Sequence, residues 1–371
     1  MALRFGQGAV WCGRCRTARP VQDVLMQPYP PAIIQRNGCV ARKEATMSKA
    51  IVLHAHGGVD NLHWEEHDPG RPGAGEALIR HEAVGVNFID IYHRTGLYPL
   101  PALPAVLGME GAGIVLAVGE GVTDVQPGQR VAYAGRPIGA YAEERCIPAH
   151  RLVPLPDAIP TRMAAAMMLR GMTARYLLHG CYPVGQGSTL LVHAAAGGVG
   201  SMLVPWARHL GATVIGTAGS PEKREKALAA GCHHVIDYRT GGVSARVREL
   251  TDRRGVDVVY DSVGQATFMD SLDCLRPMGT MVSFGQSSGA VPPFDPGVLA
   301  ARGSLFLTRP SLMHYTERRE DLLAHAADLF DVVARGVVSV HIDQSWPLAQ
   351  VAEAHTALES RRTTGTMVLD V

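Results

Sequence analysis

Short apolar runs separated by glycine and proline characterise the chain from Met47 to about residue 170. Such runs include AIVLHA, EALIRHEAVGVN, AGIVLAVG, QRVAYAG and GAYAEERCIP. Their length, alternation and punctuation are typical of antiparallel strands, and their number predicts a partly open β-barrel. This barrel is the first predicted domain.

After about residue 172 predicted strands alternate with predicted helices. The strands are STLLVHA, ATVIGTA, HHVID, VDVVYDSV and GTMVSFG, and the helices lie near 198–209, 221–230, 244–251 and 267–275. Apolar strands alternating with helices imply a parallel sheet that is covered on both faces. The fold class is therefore α/β, with a doubly wound nucleotide-binding domain following the barrel.

Beyond SLFLTRP (304–310) the alternation of strand and helix stops. A long helical pattern, REDLLAHAADLFDVVARG, is followed by a helix that ends near Glu359 and by a closing strand. We expect this last piece to return to the barrel, which makes the barrel domain discontinuous. The predicted limits are 47–172 with 309–371 for the barrel domain and 173–308 for the nucleotide-binding domain.

Composition and charge narrow the function. Hydrophobic residues make up 47% of the chain and charged residues 19%, and no apolar run reaches the roughly 18 residues of a membrane span. The net charge is +1, of which residues 1–46 hold +5, so about −4 remains for the rest. A slightly acidic body offers no electrostatic footprint for nucleic acid. With cysteines too scattered for a disulfide framework, we expect a soluble, cytoplasmic protein.

Residues 1–46 lack sustained periodicity and contain four prolines between residues 20 and 31. Cys12 and Cys15 form half of a possible zinc site, but no second pair follows at ligand spacing. The arginine-rich opening also fits a transit peptide, although proline and glycine interrupt any amphipathic helix. We favour a disordered extension, or an upstream start codon with the natural start at Met47.

A glycine-rich loop, AAGGVG, follows the strand TLLVHA and precedes a helix. Ala195, Gly197 and Gly200 occupy the places of the G-x-G-x-x-G motif, where small residues allow a pyrophosphate to approach the helix N-terminus. The context after a strand and before a helix predicts dinucleotide binding. The predicted cofactor contacts from this loop are Ala196, Gly197, Gly198, Val199 and Gly200.

The end of the second strand of this domain predicts the cofactor. Dehydrogenases that use NAD place a carboxylate there for the ribose 2′-hydroxyl, whereas this chain reads TAGS, residues 217–220. Ser220 tolerates a 2′-phosphate, and Lys223 is within reach to pair with it. NADPH is therefore favoured over NADH, with a solvated Lys223 on a charged helix as the alternative.

Metal ligands are absent where a zinc dehydrogenase would carry them. Glu110 is present in LGMEGAGIV, but Met109 precedes it in place of a ligand histidine. Asn87 in GVNFID stands in place of a ligand cysteine, and Cys146 is isolated. Because zinc prefers converging thiolate and imidazole ligands, we predict that no metal is bound.

The chain from Met47 to Val371 closely resembles the zinc-independent quinone oxidoreductases, the zeta-crystallin-like branch of the medium-chain dehydrogenase/reductase superfamily. The resemblance rests on VNFIDIYHRTGLYP, LGMEGAGIV, HAAAGGVG, YDSVG, SLDCL, MVSFGQSSG and TRPSL. It implies a GroES-like barrel, a Rossmann domain, a cleft between them, and a homodimer joined through the edge of the Rossmann sheet.

The same resemblance implies the site residues. It places Lys223, Tyr238 and Arg361 near the 2′-phosphate of NADPH, with Arg362 as the alternative to Arg361. It also implies that the nicotinamide and substrate end is lined by Asn87, Asp90, Tyr92 and Tyr98, with Thr173, Phe284 and Gln286 nearby.

Each of the four polar residues of VNFIDIYHRTGLYP also has a purely structural explanation. Asn87 is a typical turn cap, Asp90 a typical first-turn charge of a helix, and the two tyrosines suit a barrel rim. Arg94 is expected in a surface or inter-domain salt bridge and is not included in the site.

Without metal or flavin, the chemistry is expected to be hydride, or single-electron, transfer from the nicotinamide to a quinone. Tyr92 or Tyr98 would donate a hydrogen bond to the developing phenolate. An alternative is reduction of an activated double bond in an enone, alkenal or acyl-CoA-type substrate. A third reading, a binding protein that holds NADPH or RNA, is disfavoured by the acidic body.

Overall fold

Antiparallel strands build the first part of the fold in the computed structural model, which describes residues 47–360 and 363–371. The expectations for residues 1–46, Cys12 and Cys15 included, lie outside the described residues. The strands of this first part are β1 (Ser48–Leu53), β2 (Leu62–His67), β3 (Glu76–Gly85), β4 (Ala105–Val106), β5 (Glu110–Val118), β6 (Arg130–Ala134), β7 (Glu144–Pro148) and β8 (Val153–Pro154).

The second part of the chain contains the strands of a parallel sheet, namely β9 (Thr189–Val192), β10 (Thr213–Ala218), β11 (His234–Asp237), β12 (Val256–Asp261), β13 (Leu275–Ser283) and β14 (Phe306–Thr308). The strand order is β11-β10-β9-β12-β13-β14. With β9 as the first strand, this is the 3-2-1-4-5-6 order of the Rossmann fold. The predicted α/β class with a doubly wound sheet is confirmed.

The last two strands, β15 (Ile342–Pro347) and β16 (Thr366–Asp370), do not join the parallel sheet. They join β3, β5, β6, β7 and β8 in a seven-stranded sheet of order β15-β16-β3-β5-β6-β8, with β7 also paired to β3, whereas β2, β1 and β4 form a separate three-stranded sheet. The C-terminal piece was predicted to return to the first part of the fold, and β16 pairs there with β3. The exact domain limits remain a prediction.

The α-helices connect and cover these sheets, and they are α1 (Phe88–Thr95), α2 (Thr161–Ala165), α3 (Met168–Tyr176), α4 (Gly200–His209), α5 (Pro221–Ala229), α6 (Val243–Leu250), α7 (Phe268–Asp273), α8 (Gly297–Ala301), α9 (Leu312–Tyr315), α10 (Arg319–Ala334) and α11 (Val351–Glu359). The predicted helices near 221–230 and 244–251 agree with α5 and α6 to within one residue. The helix predicted from residue 198 begins at Gly200, because the two preceding residues belong to the loop.

The pattern of buried residues along the strands differs between the parallel sheet and the antiparallel strands. The strand β12, sequence VDVVYD, is buried at every position, as expected for a parallel strand covered on both faces. The strand β3 alternates between exposed and buried positions along much of its length and becomes fully buried at its end, where the chain enters α1. Among the described residues, no helix is long and apolar enough to cross a membrane.

Candidate functional site

The helix α1 is positioned by hydrogen bonds at its start. Asn87 is the N-cap, with extended backbone angles, and its amide N–H donates to Asp90 Oδ2 at 2.8 Å. Gly96 ends the helix in the left-handed conformation with φ 80°, which a glycine adopts without steric cost. The structural roles expected for Asn87 and Asp90 are therefore real, and they fix both side chains at the end of β3.

Both residues also belong to a set of buried polar side chains that we call the buried acid cluster: Asn87, Asp90, Glu110, Tyr141, Arg170 and His355. The amide Nδ2 of Asn87 donates to Glu110 Oε2 at 2.8 Å, and the Leu169 amide N–H donates to Glu110 Oε1 at 2.8 Å. The Asn87 side chain thus binds the neighbouring carboxylate directly, in the place where a zinc site would need a thiolate.

Asp90 lies on the other side of the same cluster. The Tyr141 hydroxyl donates to Asp90 Oδ2 at 3.0 Å and lies 3.1 Å from His355 Nε2. Among the described residues, Asp90 Oδ1 has no hydrogen-bond partner. Asp90 is fully buried, so an ionised carboxylate at this position is costly.

Burial controls the protonation of the cluster. It raises the pKa of Asp90 to about 7, against hydrogen bonds from the Asn87 amide and Tyr141 that lower it. Burial likewise raises the pKa of Glu110 to about 7, although the Arg170 charge and the Asn87 amide lower it. Both carboxyl groups are therefore poised to gain or lose a proton near neutral pH.

Arg170, on α3, connects this cluster to the dinucleotide loop. Its Nη2 donates to the Val86 carbonyl oxygen, one residue before Asn87. A Cβ placed on Gly198 would lie 2.7 Å from Arg170 Nε, so the guanidinium packs directly against the glycine. Thr173 is buried and follows Arg170 by three residues, a spacing that places both on one helix face.

The two predicted tyrosines meet groups that follow strand β13. The Gln286 amide N–H donates to the Tyr92 hydroxyl at 3.3 Å. Arg309 donates to the Tyr98 hydroxyl at 2.8 Å and to the Ser283 carbonyl oxygen at 3.0 Å. The Tyr92 and Tyr98 rings contact each other edge to face, 5.1 Å between centroids. Both phenols therefore lie at the carboxyl edge of the parallel sheet.

Burial raises the pKa of the Tyr92 hydroxyl to about 12, against the hydrogen bond from the Gln286 amide. The hydroxyl accepts that hydrogen bond and retains its own proton at neutral pH. Tyr92 is therefore able to donate a hydrogen bond to an acceptor oxygen. Phe284, two residues before Gln286, is half-buried, and its amide N–H donates to the Asp261 carbonyl oxygen at 2.8 Å.

The glycine loop between β9 and α4 has the shape that a dinucleotide needs. A Cβ on Gly200 would lie 2.5 Å from the Ala195 carbonyl oxygen, so only glycine permits this close approach. The amides of Gly198 and Val199 have no acceptor within the part of the chain that the structure describes. Free amides at a helix N-terminus suit a pyrophosphate, so the loop, Ala196 and Gly197 included, fits the expected cofactor.

The predicted 2′-phosphate residues cluster at the ends of β10 and β11. Ser220 is the N-cap of α5, where its hydroxyl accepts a hydrogen bond from the Lys223 amide at 3.2 Å. The ring of Tyr238 lies so close to Gly219 that a Cβ there would collide with the hydroxyl. Ser220, Lys223 and Tyr238 are thus brought together, while Arg361 lies outside the described residues.

Sequence reasoning missed several residues of the site. Arg170 and Tyr141 enter the buried acid cluster from positions far along the chain, with no local motif to mark them. Glu110 was considered only as a zinc ligand. Arg94 makes the expected salt bridge, to Glu359 at 2.7 Å, and because its side chain is only 3% exposed, the surface position that was one of the two expected is excluded.

The fold combines a doubly wound sheet, a glycine loop with free amides and, at the carboxyl edge of the sheet, the phenols of Tyr92 on α1 and of Tyr98 after it. These features are those of a medium-chain dehydrogenase/reductase. Residues 73–157 match the alcohol dehydrogenase GroES-like domain, and residues 198–328 match the zinc-binding dehydrogenase family. The name of the second match, zinc-binding dehydrogenase, is that of the whole family and does not by itself assign a metal to this chain. Among the described residues, no group of three or more histidine, cysteine or acidic side chains could hold a metal.

Individual relatives make the assignment narrower. The chain is 48% identical to a quinone oxidoreductase of Pseudomonas aeruginosa, covering 87% of this chain and 99% of that protein. It is 47% identical to a 2-haloacrylate reductase of Burkholderia sp., with the same coverage. The crystal structure of Escherichia coli quinone oxidoreductase complexed with NADPH matches with a TM-score of 0.86 and 45% identity, covering 87% of this chain and 100% of that one. The chain belongs to the zinc-independent quinone oxidoreductase, or zeta-crystallin-like, family.

Proposed function

We propose that this protein uses NADPH to reduce quinones by direct hydride transfer, without a bound metal or flavin. The observation that carries the proposal is the position of Tyr92 and Tyr98, whose hydroxyls accept hydrogen bonds from Gln286 and Arg309 at the carboxyl edge of the parallel sheet. Dinucleotide enzymes of this fold bind their ligands at that edge. Two relatives named as quinone oxidoreductases, one crystallised with NADPH, support the same reaction.

The chain's own residues supply binding and orientation in this proposal. Bound NADPH supplies the hydride. The loop Ala196–Gly200 holds the pyrophosphate through its free amides, and Ser220, Lys223 and Tyr238 surround the 2′-phosphate. We also assign Arg361 to that phosphate. Thr364 supports this assignment, because its hydroxyl oxygen accepts a hydrogen bond from Lys226 on α5 at 2.6 Å.

The acceptor lies, in this proposal, against Tyr92 and Tyr98, with Thr173 and Phe284 beside it. Tyr92 keeps its proton and donates a hydrogen bond to the quinone oxygen that gains negative charge. Asn87 and Asp90 act behind the tyrosines, since both are buried and hydrogen-bonded to Glu110 and Tyr141. They hold α1 so that the phenols are correctly placed.

Reduction of an activated carbon–carbon double bond is the second candidate. The relative named 2-haloacrylate reductase, 47% identical, favours it. The same hydride donor would serve, with a proton delivered to the α-carbon rather than to an oxygen. Substrate choice therefore separates the two reactions, while the cofactor does not.

The test is steady-state oxidation of NADPH and NADH with a panel of benzoquinones, naphthoquinones and 2-alkenals. We expect NADPH with a quinone to give the highest kcat/KM. We expect Tyr98→Phe to lower quinone kcat/KM by about fivefold, the effect of one lost hydrogen bond of about 1 kcal/mol, and Tyr182→Phe, outside the site, to leave it unchanged. Turnover of 2-alkenals alone would refute quinone reduction, and a preference for NADH would refute the cofactor assignment.

We further propose a cytoplasmic homodimer joined through β14. This strand is the last of the parallel sheet, and its side chains Phe306 and Leu307 are 63% and 36% exposed. An exposed apolar edge strand is suited to pairing with a second copy. Sedimentation velocity should show a dimer for the wild type and a monomer for Phe306→Arg. A monomeric wild type would contradict the proposal.

A further inference from the structure

The carboxylate that the end of β10 lacks is present at the end of the neighbouring strand. Asp237 is the last residue of β11, and its Cα is paired in the sheet with that of Ala218, the last residue of β10. Gly219 and Ser220 follow Ala218 directly. Since the hydroxyl of Tyr238 lies against Gly219, the Asp237 segment borders the 2′-phosphate site proposed above.

Two arginines bind this carboxylate from opposite chain segments. Arg224, on α5, donates through Nη1 to Asp237 Oδ2 at 2.8 Å. Arg239 donates through Nη2 to Oδ2 at 2.8 Å and through Nε to Oδ1 at 3.0 Å. The Asp237 side chain is only 11% exposed, whereas those of Arg224 and Arg239 are 34% and 54% exposed. The carboxylate is thus covered, and the guanidinium groups face outward.

The charge of this group is fixed around neutral pH. Hydrogen bonds from Arg239 hold the pKa of Asp237 at about 2, with the Arg224 charge acting in the same direction. One carboxylate with two guanidinium groups carries a net charge of +1. Without Arg224 the same site would carry no net charge, and its carboxylate would be less covered.

We propose that Arg224 and Arg239 determine the preference for NADPH by more than compensating the charge of Asp237, a role that rests on the function proposed above. A 2′-phosphate is a dianion near neutral pH and is attracted by the resulting net charge of +1, whereas an uncharged ribose 2′-hydroxyl is not. Arg224 is accordingly a positioning and charge-compensating residue. The residues proposed to contact the phosphate directly remain Ser220, Lys223, Tyr238 and Arg361.

The experiment measures the dissociation constants of NADPH and NADH by isothermal titration calorimetry for a set of variants. The wild type is compared with Arg224→Gln, Asp237→Asn and the double variant, with Arg224→Lys as the charge-preserving control. Lys223→Glu serves as a reference for loss of a predicted phosphate contact. Far-ultraviolet circular dichroism and thermal midpoints confirm that each variant is folded.

We expect Arg224→Gln to weaken NADPH binding by about three- to tenfold with little change for NADH, since the charges are partly exposed and screened. Adding Asp237→Asn should restore NADPH binding, because the net charge of the group then returns from zero to +1. The effect of Arg224→Gln should diminish as the salt concentration is raised. Arg224→Lys should bind NADPH about as the wild type does.

Two results would overturn this role. An unchanged NADPH affinity in Arg224→Gln would show that the charge of the Arg224–Asp237–Arg239 group does not affect the binding of the 2′-phosphate. Loss of affinity that Asp237→Asn does not rescue would show that Arg224 contacts the phosphate itself. A wild type that binds NADH as tightly as NADPH would instead refute the cofactor part of the proposed function, which distinguishes the two failures.

Discussion

Asp90 and Asp237 are both held by hydrogen bonds near arginine, yet their surroundings move the pKa in opposite directions. Burial dominates at Asp90 and raises its pKa to about 7. Direct bonds from Arg239 dominate at Asp237 and hold its pKa at about 2. An arginine keeps a carboxylate ionised when it bonds to it directly, whereas Arg170, acting through space, does not outweigh the loss of water around Asp90.

The difference suits the two ends of the proposed cofactor site. At the adenine end of the proposed site, a permanent charge arrangement would select the cofactor and would not change with pH. At its proposed nicotinamide end, two buried carboxyl groups have pKa values near neutrality. Three substitutions separate these two kinds of acid site, and they are given in order of decreasing expected effect.

The largest effect is expected for Arg170→Met in the buried acid cluster. It removes the positive charge that acts on Asp90 and Glu110 and the hydrogen bond to the Val86 carbonyl oxygen. Removing one member of a buried charge group costs about 3 kcal/mol of unfolding free energy or more. Urea denaturation at neutral pH measures it. The control Arg208→Met, at an exposed position of α4, should change the free energy of unfolding by less than about 0.5 kcal/mol. Equal losses in Arg170→Met and Arg208→Met would show that the buried charge of Arg170 has no special effect on stability.

The second effect is a pH dependence of stability that Glu110→Gln should reduce, leaving the part that comes from Asp90. Glutamate ordinarily titrates at 4.5, but burial raises the pKa of Glu110 in the folded protein to about 7. The folded state therefore holds a proton that the unfolded state has released. Its stabilisation is complete below about pH 4.5 and is lost as pH rises through about 7, at up to roughly 1.4 kcal/mol per pH unit.

Urea denaturation of the wild type and Glu110→Gln between about pH 5 and 8 checks this. The wild-type free energy of unfolding should fall more steeply with rising pH than that of the variant. Parallel slopes would mean that Glu110 is ionised in the folded protein and that hydrogen bonding outweighs burial.

The smallest effect on stability is expected for Asp237→Asn, and its pH dependence lies in the acidic range rather than near neutrality. A carboxylate with a lowered folded pKa stabilises the protein above its ordinary value of 3.8, and this stabilisation is lost as pH falls towards about 2. The difference in denaturation midpoint between the wild type and Asp237→Asn should therefore be small at neutral pH and close on acidification. A gap that widens with acid would contradict the pairing.

Local sequence patterns were sufficient to predict the fold class and the glycine loop after β9. The strand β12 and the helix α5 follow from apolar runs and from Ser220 with Pro221 at a helix start, because these signals act over a few residues. The loop up to Gly200 was predictable for the same reason: its glycines are required by backbone geometry that the chain itself imposes.

The buried acid cluster could not be predicted in this way. Glu110 and Asn87 are brought together by two antiparallel strands, and Arg170 reaches Val86 from a helix more than 80 residues later in the sequence. The Arg224–Asp237 pair depends on the register of β11 beside β10, which no short motif encodes. Contacts made by tertiary packing leave no periodic signal in the sequence.

The pairing of β16 with β3 has a consequence for the synthesis of the protein. Val368 and Leu369 pair with Gly85 and Val84, and the Val86 amide N–H donates to the Met367 carbonyl oxygen. The segment that carries Asn87 therefore gains these hydrogen bonds only after residues some 280 positions later have been translated. The strands of the parallel sheet are translated before those residues. We expect the nucleotide-binding part to fold during translation, and the pairing beside Asn87 to form only after β16 has been translated.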